Sequence, residues 1–285
     1  MKIRPLSDLH LEFSSLDAPL EEANITLLAG DIFTKEEQLP SDLRDFFKSE
    51  YVIGIAGNHE FYKKKIDTYT DKLYDIYEKH NGIFLENDYV TILNDGSISQ
   101  NQKQETGLRI AGSTLWTDFK LLSGDDISLL KAQAMTVVGD RYTKGVNDFR
   151  HIREAKKNYR RFKPLSAAMK NFETMQFLES ILNDDFNGIN YIMTHHSPTA
   201  IVLPDKKKND IFSIAYASNK DDFIKKYQPD YWQFGHIHNP KLNQTIENTK
   251  FISNARGYPG HESYNQFNID KIIEIDIPYN YIPKP

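Results

Sequence analysis

Five short polar stretches carry side chains from which a metal site or a proton-transfer site can be built: Asp8-Leu9-His10, Gly30-Asp31, Gly57-Asn58-His59-Glu60, His195-His196 and Gly235-His236-Ile237-His238. Imidazoles and carboxylates bind divalent cations and exchange protons near neutral pH. The candidates are Asp8, His10, Asp31, Asn58, His59, His195, His196, His236 and His238. Singly they say little, because a His-x-His pair arises by chance and an Asp after Gly is usually a turn. Jointly they say more, because each stretch ends a β-rich apolar run. The chain has no cysteine, which excludes disulfides, thiolate zinc sites and a cysteine nucleophile. A ligand set of oxygen and imidazole without sulfur suits borderline-hard ions such as Mn, Fe, Co, Ni or Zn. Seven ligands with one shared carboxylate would fill two neighbouring sites, and paired ions about 3.5–4 Å apart recur in phosphate ester hydrolysis. One oxygen of Asp31 can face each ion, which makes Asp31 the natural bridge.

The elements that must position these residues read as α/β. Residues 51–56 are an apolar strand that ends abruptly at Gly57, and in open α/β sheets ligands bind at the C-terminal strand edge. Residues 3–6 form a strand that Pro5 confines to an edge or a strand end. It delivers Asp8 and His10, which on an extended segment point the same way. Residues 25–29, 189–193 and 231–234 deliver the other tips, and further strands are expected at 83–85, 89–93, 108–115, 250–253 and 271–277. Helices are expected at 40–48 with Ser41 as N-cap, at 62–80, at 166–182 with Met169, Phe172, Met175, Phe177, Leu178 and Ile181 on its apolar positions, and at 221–227. Repeats, low-complexity tracts and linkers are absent, so one domain over 1–285 is expected. Between 118 and 162 charge is dense and apolar periodicity weak. We expect a helical insertion or lid over the active-site rim, spanning 118–165. Its basic run, Arg150, Arg153, Lys156, Lys157, Arg160 and Arg161, reads as a solvated helix face, with a phosphate-facing patch as the alternative.

A hydrophobic content of 39% in 285 residues is enough for a large core. The net charge of -5 weighs against a protein that grips nucleic acid by charge alone, without excluding a local basic patch. No signal peptide and no apolar run of membrane-spanning length is present, so a soluble, cytoplasmic protein is expected.

The order Asp-x-His, Gly-Asp, Gly-Asn-His-Glu, His-His, Gly-His-x-His, running from Asp8 to His238, resembles the calcineurin-like metallophosphoesterase superfamily, with no ligand position missing. The stretches 7–13, 114–118 and 254–258 are also similar to a bacterial and phage-type subgroup. The resemblance implies a four-layer α/β/β/α sandwich with both metals at the C-terminal strand edges. It implies Asp8, His10, Asp31 and His238 around a first ion, and Asp31, Asn58, His195 and His236 around a second. His195 is preferred to His196 because it directly follows the strand. His59 would face the substrate and protonate the leaving oxygen or stabilise its charge. Hydrolysis is then expected without a covalent enzyme intermediate, a metal-bridging hydroxide attacking phosphorus in line. Arg256, in a Gly-rich turn, is a candidate phosphate clamp, and the alternative is a surface arginine. Trp116 and Tyr258 read more readily as core than as stacking platforms.

The expected activity is a metal-dependent phosphoric ester hydrolase with two divalent ions, Mn first, acting on a phosphodiester that could be a nucleotide. A nuclease acting on DNA or RNA is one alternative, favoured by the 150–161 run and Lys206-Lys207-Lys208. A metal-binding scaffold without catalysis is the other, disfavoured by the intact ligand set and His59. No membrane and no obligate protein partner is inferred.

Overall fold

The computed structural model of the chain describes residues 1–100, 106–121, 130, 145–208, 210–262 and 266–277. In chain order the strands are β1 (Lys2–Leu6), β2 (Ala23–Ala29), β3 (Ser49–Ile55), β4 (Ile83–Phe84), β5 (Asp88–Ile92), β6 (Ile98–Gln100), β7 (Leu108–Ser113), β8 (Arg153–Glu154), β9 (Arg160–Arg161), β10 (Ile189–Thr194), β11 (Tyr231–Phe234), β12 (Thr245–Ile246), β13 (Thr249–Ile252) and β14 (Ile273–Glu274). One sheet has the order β14-β1-β2-β3-β4 and the other β12-β13-β11-β10-β7-β5-β6. β1 to β4 run parallel, as do β7, β10, β11 and β13.

Side-chain alternation sorts these strands into layers. In β2 and β3, Ile25, Leu27, Ala29, Ile53 and Ile55 face the second sheet and meet Val90, Ile110, Tyr191 and Met193. The intervening Leu28 and Val52 face outward, onto Leu43, Phe47, Leu73, Ile76 and Tyr77 from the helices Leu43–Phe47 and Ile66–Lys79. On the second sheet's outer face, Ile192, Trp232 and Phe234 meet Leu178, Ile181 and Ile224 from the helices Pro164–Leu182 and Asp221–Tyr227. The result is the expected α/β/β/α sandwich. Burying each such side chain contributes about 1.5–3 kcal/mol, so the layers hold the strand ends in place. Pro5 is tolerated because β14 pairs only with Lys2 and Ile3, and at Pro5 the neighbour is the Asn254 side chain, which donates to Pro5 O at 2.9 Å and needs no N–H in return. Among the described residues no helix is long and apolar enough to cross a membrane.

Several expectations need correction. The first helix is capped by Asp42, whose carboxylate accepts from Asp45 N at 3.0 Å, and not by Ser41. The second starts at Ile66 because His59–Phe61 form a separate 3-10 turn. In Pro164–Leu182, Met169 and Phe172 are 51% and 62% exposed, and Asn171 and Thr174 are buried instead. Asn171 is satisfied by Trp116 O (3.2 Å) and Thr174 by Ser113 Oγ (2.9 Å), contacts that apolar periodicity does not register. Of 118–165, the described part holds the four-residue helix Asp148–His151, the 3-10 turn Ala155–Lys157, the β8/β9 hairpin and the start of Pro164–Leu182, and residues 122–129 and 131–144 of the expected helical insertion lie outside the described residues. The basic run is therefore mostly hairpin. Arg160 is tied to Glu154 at 2.8 Å.

Candidate metal centre

All five polar stretches leave their strands at C-terminal ends: 7–10, 30–31 and 57–60 from the adjacent β1, β2 and β3, and 195–196 and 235–238 from the adjacent β10 and β11. The chain turns sharply there. Asp8, His10, Asp31 and His236 have φ of 50°, 45°, 56° and 63°, the left-handed region. Such backbone costs on the order of 1–3 kcal/mol where side chains do not relieve it, and it concentrates at functional sites. Asp8 and His10 thus converge by a turn and not along an extended segment. Hydrogen bonds from Asp8 N to Gly30 O (2.9 Å) and from His10 N to Asp31 O (3.0 Å) lay the first tip on the second. The buried Glu60 carboxylate accepts from Asp31 N (3.0 Å), Ile32 N (2.6 Å), Phe33 N (3.1 Å) and Gly57 N (2.7 Å), which locks the second tip to the third. Glycine is obligatory at two points. A Cβ on Gly30 would lie 2.5 Å from Gly57 N, and one on Gly57 would overlap Asp31 Oδ1 and sit 2.6 Å from His195 Cε1.

The side chains meet in one cluster. His238 Nε2 is 3.5 Å from Asp8 Oδ1 and 3.3 Å from His10 Nε2. Asp31 Oδ2 stands 3.8 Å from His10 Nε2, 3.4 Å from His195 Nε2 and 3.9 Å from His59 Nε2. Asn58 Oδ1 is 3.0 Å from His195 Nε2. Three overlapping groups are close enough to hold an ion: Asp8, His10 and His238; His10, Asp31 and His59; and Asp31, His195 and His236. Asp31 and His10 each belong to two of them. His196 stays outside all three. Its Nδ1 reaches Thr114 O at 3.3 Å and its ring stacks on Trp116, itself buried against Phe162. Tyr258 does join the site, its hydroxyl 3.2 Å from His59 Nε2. Arg256 does not. Its two terminal nitrogens donate to Leu9 O (2.9 Å), Ser14 O (3.0 Å), Ser14 Oγ (2.8 Å) and Ser15 O (2.7 Å). It braces the loop that carries His10, and that geometry argues against a phosphate clamp.

A second tier of residues orients the first. Glu12 Oε1 accepts from His10 Nδ1 (3.0 Å) and His59 Nδ1 (2.9 Å), so both rings turn Nε2 inward. Ala29 O does the same for His195 (2.9 Å) and Glu262 for His238 (2.8 Å). Asn58 Nδ2 donates to Asp148 Oδ1 (2.9 Å) and Tyr62 OH (3.0 Å), which directs its Oδ1 at the cluster. Such partners fix tautomer and direction at metal sites. Sequence reasoning missed Glu12, Asp148 and Glu262, each a lone acid with no spacing signature.

The charge balance suits cations. Burial disfavours protonated imidazole, yet Asp31 and Glu12 hold His59 up at about 9. Against the same burial, Asp31 and Asp8 hold His195 at about 9, and Asp8 and Glu262 hold His238 at about 10. His196, buried beside His195, falls to about 3. Burial and the neighbouring Asp31 charge push Glu60 up to about 7. The carboxylates thus create a field that a bound cation would satisfy in place of protons. Above the cluster lies a cleft of about 670 Å³ lined by Asp31, Asn58, His236 and His238 on its floor and by Tyr62, Lys207 and Tyr216 on its walls.

A four-layer sandwich with an imidazole–carboxylate cluster at its strand ends defines a metal-dependent phosphoester hydrolase. The calcineurin-like phosphoesterase family matches residues 1–240, and the chain belongs to that family. Its members are typically dimetal-dependent. The chain is similar in fold to phosphopantetheinyl hydrolase from Mycobacterium tuberculosis, with a TM-score of 0.62 at 16% identity over 99% of this chain and 98% of that one. It also aligns to 5'-nucleotidase from Candida albicans with a TM-score of 0.39 at 14% identity, over 90% of this chain and 45% of the nucleotidase. No curated protein matches the chain in sequence.

Proposed function

We propose that the protein is a phosphodiesterase that works with two divalent ions, Mn2+ foremost, and uses His59 as proton donor. Asp8, His10, Asp31 and His238 would hold one ion, and Asp31, Asn58, His195 and His236 the other. The donor set fits. The carboxylate–imidazole contacts of 3.4–3.8 Å that Asp8 and Asp31 make with His10, His195 and His238 are longer than charge-assisted hydrogen bonds of about 2.7–2.9 Å, as befits donors that share an ion. When bound, the ions neutralise charge on phosphoryl oxygens and make hydroxide available near neutral pH.

The chain's own residues supply the rest. The observation that carries the reading is the pairing of His59 with Glu12. Glu12 holds Nδ1, so Nε2 is the atom that offers a proton, and Glu12, which belongs to none of the three ion-holding groups, is the carboxylate that supports a charge on the ring when Asp31 serves the ions. Tyr258 OH, 3.2 Å from that nitrogen, and the Tyr62 ring, with its centroid 4.3 Å from that of His59, fix where it lies. A diester is favoured over a monoester because, among the described residues lining the cleft, none is an arginine that could clamp a dianion. Of the described basic side chains of 150–161 none lines it, which weakens one of the two grounds for the nuclease alternative, whereas Lys206 and Lys207 do line it.

The test is a panel with added Mn2+: bis-p-nitrophenyl phosphate, p-nitrophenyl phosphate, cyclic nucleotides, dinucleotides and single-stranded DNA. Diesters should turn over faster than p-nitrophenyl phosphate, and chelation should stop both. Tight ion binding without hydrolysis of any ester would favour the scaffold reading. The role of Asn58 makes a further prediction. Asp148→Ala frees its amide to rotate and should weaken Mn2+ binding by about 10–100-fold, measured by calorimetry. Asp148→Asn keeps an acceptor for Asn58 Nδ2 and should stay close to wild type.

A further inference from the structure

We infer that Lys206 and Lys207 form a second anion site in the cleft, and that the substrate is a phosphodiester bearing a further phosphate, the chemistry of a phosphorylated nucleoside. This rests on the phosphodiesterase reading and extends it to the substrate. Both lysines line the same cleft as Asp31, Asn58, His236 and His238. The Tyr216 ring lies against His236, with centroids 4.9 Å apart, and Lys207 Nζ sits 4.7 Å from the centre of that ring. The ammonium therefore stands one aromatic ring beyond the metal cluster, too far out to share the scissile phosphate's ligands and close enough to reach a neighbouring group.

Partners distinguish these lysines from those around them. Lys208 and Lys241 reach Asp205, and Lys220 pairs with Asp118 at 2.5 Å. Among the described residues, Lys206 and Lys207 have no carboxylate within 4.0 Å. Lys207 is half-buried, and burial pulls its ammonium below the usual lysine range. Glu262 and Asp210 act on it only from beyond ion-pair distance, so the withdrawn ammonium is left short of a close counter-ion, and a bound anion would offset that cost. The position is built and not incidental. Lys207 O accepts from Ser213 Oγ and from Asp210 N (3.1 Å), and the loop is tied to the end of β10 through the Ser197–Ala217 bridge.

Size and lining narrow the class. A cleft of about 670 Å³ falls within the roughly 300–1,000 Å³ of small-molecule sites, well above the needs of one phosphate. Phe212, Tyr216 and Tyr258 line it and offer faces to a planar ring.

The test compares two substrates with the same leaving group, thymidine 5'-(p-nitrophenyl phosphate) and its 3'-phosphorylated form, on the full chain with Mn2+. One charge-assisted contact predicts that wild type prefers the 3'-phosphorylated ester by about tenfold or more in kcat/KM, mainly through KM. Lys207→Gln should abolish the preference and Lys207→Arg should keep it. Equal kcat/KM in wild type, or an unchanged preference in Lys207→Gln, overturns the inference while leaving the phosphodiesterase reading intact. If neither ester turns over, that reading fails, and calorimetry with thymidine 3',5'-bisphosphate decides the anion site: weaker binding in Lys207→Gln supports it and equal binding rejects it. Inhibition by oligo(dT) with a steep salt dependence identifies the second phosphate as that of a nucleic-acid strand. A shallow dependence identifies a mononucleotide.

Discussion

Replacing His59 by alanine should leave Mn2+ binding intact and slow hydrolysis of a dinucleotide by about 10²–10⁴-fold, the usual worth of a positioned general acid. The effect should depend on the leaving group. An alkoxide needs a proton as it departs, whereas p-nitrophenolate does not, so bis-p-nitrophenyl phosphate should lose far less. The geometry makes this test decisive, because His59 Nε2 stands 3.9 Å from Asp31 Oδ2 and belongs to one of the groups able to hold an ion. If His59→Ala sheds metal and slows both esters alike, His59 is a ligand and the acid lies elsewhere. Glu12→Gln offers a milder companion. It would keep a partner for His59 Nδ1 while removing the charge that helps hold the ring protonated.

Asp31→Asn should cost more than any change in the supporting tier. The substitution keeps the size of the side chain and can still accept from His59 N, which now bonds to Asp31 Oδ1 at 2.8 Å. The fold should therefore survive. What is lost is the buried negative charge that His10, His59 and His195 face. Outer partners of metal ligands cost about 10–100-fold when removed. A shared ligand should exceed that, with activity near background and fewer ions bound per chain. Metal analysis together with turnover checks this. Wild-type metal content and activity in Asp31→Asn would remove Asp31 from the bridging position.

The sequence made the strand ends legible because apolar alternation stops abruptly at each of them, as at Ile55 before Gly57-Asn58-His59. Within each sheet it also made legible which polar residues would meet, since parallel neighbours present their C-terminal ends on a common edge, whereas the meeting of the two sheets' edges was implied only by the family resemblance. Several features were not legible. The left-handed backbone at Asp8, His10, Asp31 and His236 depends on hydrogen bonds between tips that are distant in sequence. Glu12, Glu262 and Asp148 earn their roles only through what lies beside them once the chain has folded. Arg256 sits in the kind of turn a phosphate clamp would use, and only the position of the 9–15 loop shows that its terminal nitrogens serve carbonyls. The helix Pro164–Leu182 misled for another reason: hydrogen bonds bury Asn171 and Thr174, while Met169 and Phe172 stay in solvent.

The most direct measurement is anomalous diffraction from crystals grown with excess Mn2+. Two peaks about 3.5–4 Å apart, one on each side of Asp31, with Asp8, His10 and His238 around one and Asn58, His195 and His236 around the other, are the expected result. A single peak held by His59, or ordered side chains with no metal between them, would contradict it.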